Sequence, residues 1–369
     1  MQGHAQQQTF KRNGHINYFL RCLRALPTAA QSSDSNRITA AFFCISALDL
    51  IGVLELKTTA EQRAGWIEWI WSLQALSNNQ RPEIAAFIQL EYLYKSNGLI
   101  VVHHQNDATS PAHIPSTYTA LLTLAILRAP LDKLNIPGLT SFLKSCQAKD
   151  GSFSPTPGDD HVYPNEGFQS DVRMVYCASV ISHIIRDFSG MNVNATERFL
   201  ERCKTWEGGY ASRPGVIEAQ GGTTYCSLAT LSIFDRLQNS STSSNTTLRW
   251  LVARQIGGFQ GRPGKLEDVC YSFWCGGAIS LLDHGALINK RADRSFLLSA
   301  QFPIGGFGKE PEDYPDPFHS YLALAALSLT HSADDDVGLG LKPLDVRWNV
   351  SVETAEWLRA EIARIKKLR

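Results

Sequence analysis

The sequence predicts an all-α protein, an α/α toroid of about six helical hairpins folded as a single domain. Three observations predict it. A Gly-Gly-aromatic signature recurs at Gly208-Gly209-Tyr210, Gly257-Gly258-Phe259 and Gly305-Gly306-Phe307, with the aromatic positions 49 and 48 residues apart. Each copy is followed by a polar loop and then by an apolar stretch rich in small residues. The alternation expected of half-buried strands is almost absent. Hairpins that cannot bury their faces alone must stack. Closing the stack into a ring puts the buried helices around one cavity.

The elements follow in order. Residues 1–14 begin polar and Gln-rich and read as a loose tail; residues 15–369 read as the barrel. Thr39–Leu54, Tyr118–Leu127, Met174–Ile185, Tyr225–Phe234, Tyr271–Leu282 and Tyr321–Leu329 are apolar nearly all round and carry Ala, Ser, Gly and Cys. That pattern suits buried inner helices packed closely together. Leu248–Gln255 and Arg294–Ala300 are more amphipathic and read as outer helices. A weaker signature, Asp150-Gly151-Ser152-Phe153, lies 57 residues before Tyr210. The Ser/Thr-rich run Ser240–Thr247 reads as a solvated loop.

Composition narrows the function. The 35 basic and 35 acidic side chains of this 369-residue chain cancel. A neutral balance argues against nucleic acid and against a polybasic membrane anchor. No uncharged apolar run approaches the ~18 residues that span a bilayer, so stable membrane insertion is not expected. Eight cysteines sit mostly in apolar runs such as Phe43-Cys44-Ile45 and Tyr176-Cys177-Ala178, as small buried hydrophobes do. The expected setting is reducing and cytoplasmic.

If the repeats are equivalent, so are their loops. Gln220 lies 10 residues after Tyr210, Cys270 lies 11 after Phe259, and His319 lies 12 after Phe307. All three then stand at the mouths of successive inner helices. Asp268 and Cys270 are two apart, which on a regular helix separates side chains by about 200°. They share a ligand only across a loop-to-helix junction, where the repeat places them. Asp268, Cys270 and His319 form an O, S, N set, and three protein ligands with one open position is the arrangement of catalytic zinc. The same residues also fit a capping Asp, a buried Cys and a structural His, which spacing alone favours. Arg262, Lys265, Tyr271 and Lys309 stand nearby and suit an anionic group of two or more charges, although each also fits a solvated loop. Phe42, Phe43, Tyr176, Phe273 and Trp274 sit on inner helices, as core or as the wall of a deep apolar pocket. An isoprenoid diphosphate and a protein cysteine satisfy all of these features together.

The segment Gly257-Gly-Phe-Gln-Gly-Arg-Pro-Gly-Lys-Leu-Glu-Asp268-Val-Cys270-Tyr-Ser-Phe-Trp274 resembles the signature of protein prenyltransferase β subunits. Asp171-Val-Arg173, Tyr225-Cys226 and Phe318-His319 extend the resemblance from about Phe19 to Leu329. It implies an α/α barrel paired with a helical α subunit shared with farnesyltransferase. It implies one zinc held by Asp268, Cys270 and His319, and a diphosphate held by Arg262, Lys265 and Tyr271. Within the family the chain looks like the type I geranylgeranyl subfamily. Thr39 and Leu322 stand where farnesyltransferases carry a bulky Trp and a Tyr, and small side chains there leave depth for a fourth isoprene unit. Lys309 stands where the type I loop uses a lysine in place of a magnesium site, so magnesium is not expected to be required. The chain departs from the family at Gln220, where a His is usual. Gln donates a hydrogen bond but cannot become cationic.

The implied reaction is transfer of geranylgeranyl from its diphosphate to the cysteine of C-terminal Cys-a-a-X sequences, with Leu or Phe at X, on Rho- and Rac-type small GTPases. Arg173, Tyr176, Cys177, Phe273 and Trp274 are expected to border the isoprenoid or peptide, and Thr39, Phe43, Phe318 and Leu322 to shape the chain terminus and the a-a-X pocket. The rival readings are a farnesyltransferase β subunit, a Rab geranylgeranyltransferase β subunit, and a non-catalytic toroid acting as a binding scaffold.

Overall fold

The computed structural model describes residues 9–25, 37–74, 86–87, 95–96, 99–100, 112–157, 170–237, 241–330 and 338–368. Six helices form an inner ring: α2 (Arg37–Leu50), α5 (Ile114–Ile126), α7 (Val172–Ile184), α9 (Gly221–Ile233), α11 (Val269–Leu281) and α13 (Pro317–Thr330). Each packs on the next, and α13 packs back on α2, which closes the circle. The outer layer is α1 (Arg12–Arg24), α4 (Ala60–Ser72), α6 (Ile136–Cys146), α8 (Val193–Cys203), α10 (Ser241–Val252) and α12 (Lys290–Ser299). A single turn, α3 (Leu54–Lys57), follows α2, and α14 (Val352–Lys367) ends the chain. The toroid expected from the repeat is the fold observed.

The inner helices are buried on nearly every side; in α5 every residue except Pro115 is buried. The outer helices bury one stripe. In α8 that stripe is Ala195, Thr196, Phe199, Leu200 and Cys203, at the spacing of one helical face. Burying a side chain such as Phe199 contributes roughly 2–3 kcal/mol.

The repeated signature has a structural cause. Gln147–Phe153, Lys204–Tyr210, Gln255–Phe259 and Gln301–Phe307 each form an isolated antiparallel bridge that folds the outer helix back toward the inner one. The glycines admit the neighbouring backbone. At Gly305 φ is +102°, and a Cβ there would collide with the carbonyl oxygen of Gly14 in α1. The loop of the last repeat therefore docks on the first helix.

That contact corrects the reading of residues 1–14 as a tail. Residues 1–8 lie outside the described residues, but α1 begins at Arg12 and the Lys11 amide donates to Gln301 Oε1 at 2.9 Å. His15 is fully buried, stacked on Phe307 at 4.4 Å, and accepts from the Gly306 amide at 3.0 Å. Ser240 lies outside the described residues, but residues 241–247 are the start of α10, not a solvated loop. Thr247 Oγ1 donates to the Gly208 carbonyl at 2.6 Å, so tertiary contact outweighs the weak helix propensity of Ser and Thr.

The C-terminal hairpin, in which Leu344–Asp345 pairs with Val350–Ser351, enters the ring axis. Its four tip carbonyls each accept a tyrosine hydroxyl from a different inner helix. Tyr225 reaches Val346 at 2.7 Å, Tyr176 reaches Arg347 at 2.9 Å, Tyr118 reaches Trp348 at 3.1 Å and Tyr321 reaches Asn349 at 2.6 Å. Each tyrosine is the fifth residue of its helix. The hairpin stops the axis and leaves the helix N-termini as the mouth. Among the described residues no helix is long and apolar enough to cross a membrane.

Candidate active site

The mouth is assembled by one recurring hydrogen bond. The first amide of an inner helix has no partner within its own helix. Here it donates to the loop of the next repeat: Ile114 to Pro155 at 2.8 Å, Val172 to Ser212 at 3.0 Å, Gly221 to Gly261 at 2.8 Å and Val269 to Lys309 at 2.9 Å. Loops about fifty residues apart in sequence are thereby held side by side.

Asp268 is the N-cap of α11, with extended backbone at φ −143° and ψ 132°, and its side chain accepts from the Cys270 amide at 2.9 Å. Because Asp268 lies outside the helix, the two-residue spacing no longer sends the side chains apart. His319 comes from the start of α13, with Nε2 3.6 Å from Asp268 Oδ1. One ligand atom from each of Asp268, Cys270 and His319 lies within 4.8 Å of the others. Burial, then the adjacent Asp268 carboxylate, pushes the Cys270 thiol well above its usual range. A cation held by both groups would reverse that shift and favour the thiolate. The donors and their closeness fit zinc with one position left open.

Asp316 completes the arrangement, and sequence reasoning missed it. Its carboxylate meets His319 Nδ1 at 2.5 Å and accepts from the His319 amide at 2.9 Å. It fixes the ring so that Nε2 turns toward Asp268, as outer carboxylates do for metal-binding histidines. The signal was the Asp316-Pro317 pair, an N-cap followed by a proline at the first helical position.

A cavity of about 320 Å³ opens beside these ligands, lined by Gln220, Arg262, Lys265, Asp268, Tyr271 and Lys309 among others. The fold thus brings all the residues expected at an anion site together. Gln220 is the N-cap of α9, and its side chain makes no capping bond. Gly261 lies against the Tyr271 ring, where a Cβ would clash with the ring carbons. Burial, then the nearby Cys270 and Asp268, raises the Tyr271 hydroxyl, so at neutral pH it remains a neutral donor. Arg262 forms an ion pair with Glu218 of the preceding loop.

The apolar wall divides. Thr39, Phe43, Trp274 and Phe318 are half-buried, and the Phe43 and Phe318 rings meet at 5.5 Å. Phe273 and Leu322 are 0 % exposed, so they stand behind this surface instead of lining it. Phe273 shares the register of the hairpin-binding tyrosines and packs on Tyr225 at 5.1 Å. Tyr176 is likewise buried against the hairpin, and burial pushes the Cys177 thiol up to about 12. Arg173 is exposed and tethered by Asp171, its Nε donating to Oδ2 at 2.9 Å.

Residues 10–350 match the family described as "Prenyltransferase alpha-alpha toroid domain". The chain is also 33 % identical to the Arabidopsis thaliana geranylgeranyl transferase type-1 subunit beta, over 91 % of this chain and 87 % of that protein. The chain belongs to the prenyltransferase β-subunit family. A second type-1 subunit beta, from Dictyostelium discoideum, is 33 % identical over 84 % of this chain and 88 % of its own. Among solved structures, the Candida albicans protein geranylgeranyltransferase-I complexed with GGPP superposes with a TM-score of 0.83 at 28 % identity, covering 96 % of this chain and 99 % of that one. The Asp268, Cys270 and His319 cluster and the cavity lined by Arg262, Lys265 and Lys309 both open at this mouth.

Proposed function

We propose that the chain is the catalytic β subunit of a zinc-dependent type I protein geranylgeranyltransferase, with the chain from Lys11 onward acting as one catalytic barrel. The observation that carries the reading is the shared mouth: an O, S, N donor set and a cavity lined by three cations lie side by side. Asp268, Cys270 and His319 would hold the zinc. Bound zinc would lower the pKa of a substrate thiol and so supply a nucleophile at neutral pH.

The chain's own residues do the rest. Arg262, Lys265 and Lys309 bind the diphosphate, and Tyr271 donates to it. The bond from the first isoprenoid carbon to the diphosphate oxygen breaks as the bond to the cysteine sulfur forms, and the thiol proton leaves to solvent. Negative charge grows on the departing diphosphate, where the cations are already oriented. Lys309 supplies charge without magnesium. Gln220 contributes a neutral donor. Thr39, Phe43, Trp274 and Phe318 shield the apolar chain from water, and Thr39 leaves room for the longer isoprenoid. Arg173 borders the Cys-a-a-X peptide.

The α subunit is the proposed partner. Trp206 (86 % exposed), Ile217 (78 %), Leu266 (78 %) and Tyr314 (83 %) stand out on the loops that precede α9, α11 and α13. Exposed apolar side chains on these loops support a protein partner there. The proposed location is cytoplasmic, and the proposed substrates are Rho- and Rac-type GTPases ending in Leu or Phe.

The test is co-expression with the α subunit, followed by transfer from farnesyl or geranylgeranyl diphosphate to peptides ending in Leu or Ser. Preference for geranylgeranyl and Leu supports the reading. Preference for farnesyl and Ser reassigns the chain to the farnesyl subfamily.

A further inference from the structure

The loop that carries Arg262 has a well-fixed backbone. The Gly221 amide donates to the Gly261 carbonyl at 2.8 Å on one side, and the Lys265 amide donates to the Arg262 carbonyl at 3.4 Å across the turn on the other. The Arg262 side chain is different. It is long and 37 % exposed, and the partner it finds is Glu218, itself 49 % exposed, on the loop of the preceding repeat. Among the described residues, Lys265 and Lys309 form no ion pair, so Arg262 alone of the three cavity cations is held by a carboxylate. Glu218 is two residues before Gln220, which also lines the cavity.

We propose that Glu218 is a positioning residue of the diphosphate site: it holds the Arg262 guanidinium at the lip of the cavity with its remaining N–H groups free for the anion. This rests on the reading of the cavity as a diphosphate site. A guanidinium has five N–H donors in a planar fork. Glu218 engages Nη1 and leaves the others available. Two effects oppose each other. The Glu218 carboxylate repels an incoming anion through space, and it also removes the freedom that Arg262 would otherwise lose on binding. Repulsion is weakened because the carboxylate is already paired and solvent-exposed. Orientation therefore dominates, and losing Glu218 weakens diphosphate binding.

The test uses the purified heterodimer and equilibrium binding of geranylgeranyl diphosphate. Wild type is compared with Glu218→Ala, Glu218→Asp, Arg262→Ala and the Glu218→Ala/Arg262→Ala double variant. Glu218→Ala should weaken binding about 3- to 10-fold, with the KM for the peptide unmoved, and Glu218→Asp should restore most of the loss. On the Arg262→Ala background, Glu218→Ala should add nothing. Tighter or unchanged binding by Glu218→Ala overturns the inference, as does an additive loss in the double variant. If Arg262→Ala itself leaves binding unchanged, the reading of the cavity fails instead.

Discussion

Replacing Asp316 with asparagine perturbs the metal centre without touching a ligand. The carboxylate makes two bonds to His319, at 2.5 Å to Nδ1 and 2.9 Å to the backbone amide. A side-chain amide has one acceptor oxygen where the carboxylate has two, so Asp316→Asn keeps one bond and loses the other. Losing the ring partner lets His319 rotate and change tautomer. Losses of this kind cost about 10- to 100-fold in metal affinity, or roughly 1.4–2.7 kcal/mol. Losing the cap instead costs about 1 kcal/mol of helix stability. Competition titration of zinc on the heterodimer separates the two, because a cap defect shifts Tm in zinc-free protein and a ring defect shifts zinc affinity. The expected result is weaker zinc binding by at least about tenfold, with the zinc-free Tm lowered by a few degrees at most. Zinc affinity within about twofold of wild type would refute the assignment of Asp316 to His319 orientation.

Three other outcomes are expected. Buried Asp293, hydrogen-bonded by Ser272 at 2.6 Å, is pushed by desolvation up to about 7. Its folded pKa exceeds its unfolded value of about 4, so its contribution to stability is present at low pH and lost as pH rises to about 7. Unfolding of Asp293→Asn should therefore depend less on pH across that window; identical profiles would contradict this. Gly305→Ala sets a side chain at φ +102° against the carbonyl of Gly14 and should destabilise the chain by more than about 2 kcal/mol, seen as a lower Tm and faster proteolysis near α1. Single-turnover transfer in magnesium-free buffer should match that with magnesium, and Lys309→Ala should slow it by at least about tenfold. A wild-type rate that collapses without magnesium would remove Lys309 from its role.

Much of the fold was legible because the repeat writes its own geometry. Gly-Gly-aromatic turns mark three of the bridges and a weaker Gly-containing copy a fourth, and all-round apolar stretches mark each inner helix. The C-terminal hairpin was not legible: nothing periodic announces that residues 346–349 will meet four tyrosines from four helices. For the same reason Phe273 and Leu322 were misjudged. Sequence shows that they lie on inner helices, but not which helical face meets the cavity and which meets the hairpin or a neighbouring helix. The N-terminus of α10 was missed because its stability comes from Gly208, a distant contact. Asp268, Cys270 and His319 were visible as candidates, yet spacing alone favoured a capping Asp, a buried Cys and a structural His, and it was the family resemblance that favoured a zinc set. The extended backbone at Asp268 and the amide bond from Val269 to Lys309 bring them together, and neither can be read from spacing.

The central claim is that the Asp268, Cys270 and His319 set holds a zinc on which geranylgeranyl transfer depends. Zinc content and single-turnover transfer should be measured together on the heterodimer, as purified, stripped, and restored, alongside Cys270→Ala. The expected results are one zinc per heterodimer, loss of transfer on stripping, recovery with one equivalent, and no stoichiometric zinc in Cys270→Ala. Full transfer by the stripped protein, or undiminished zinc in Cys270→Ala, would contradict it.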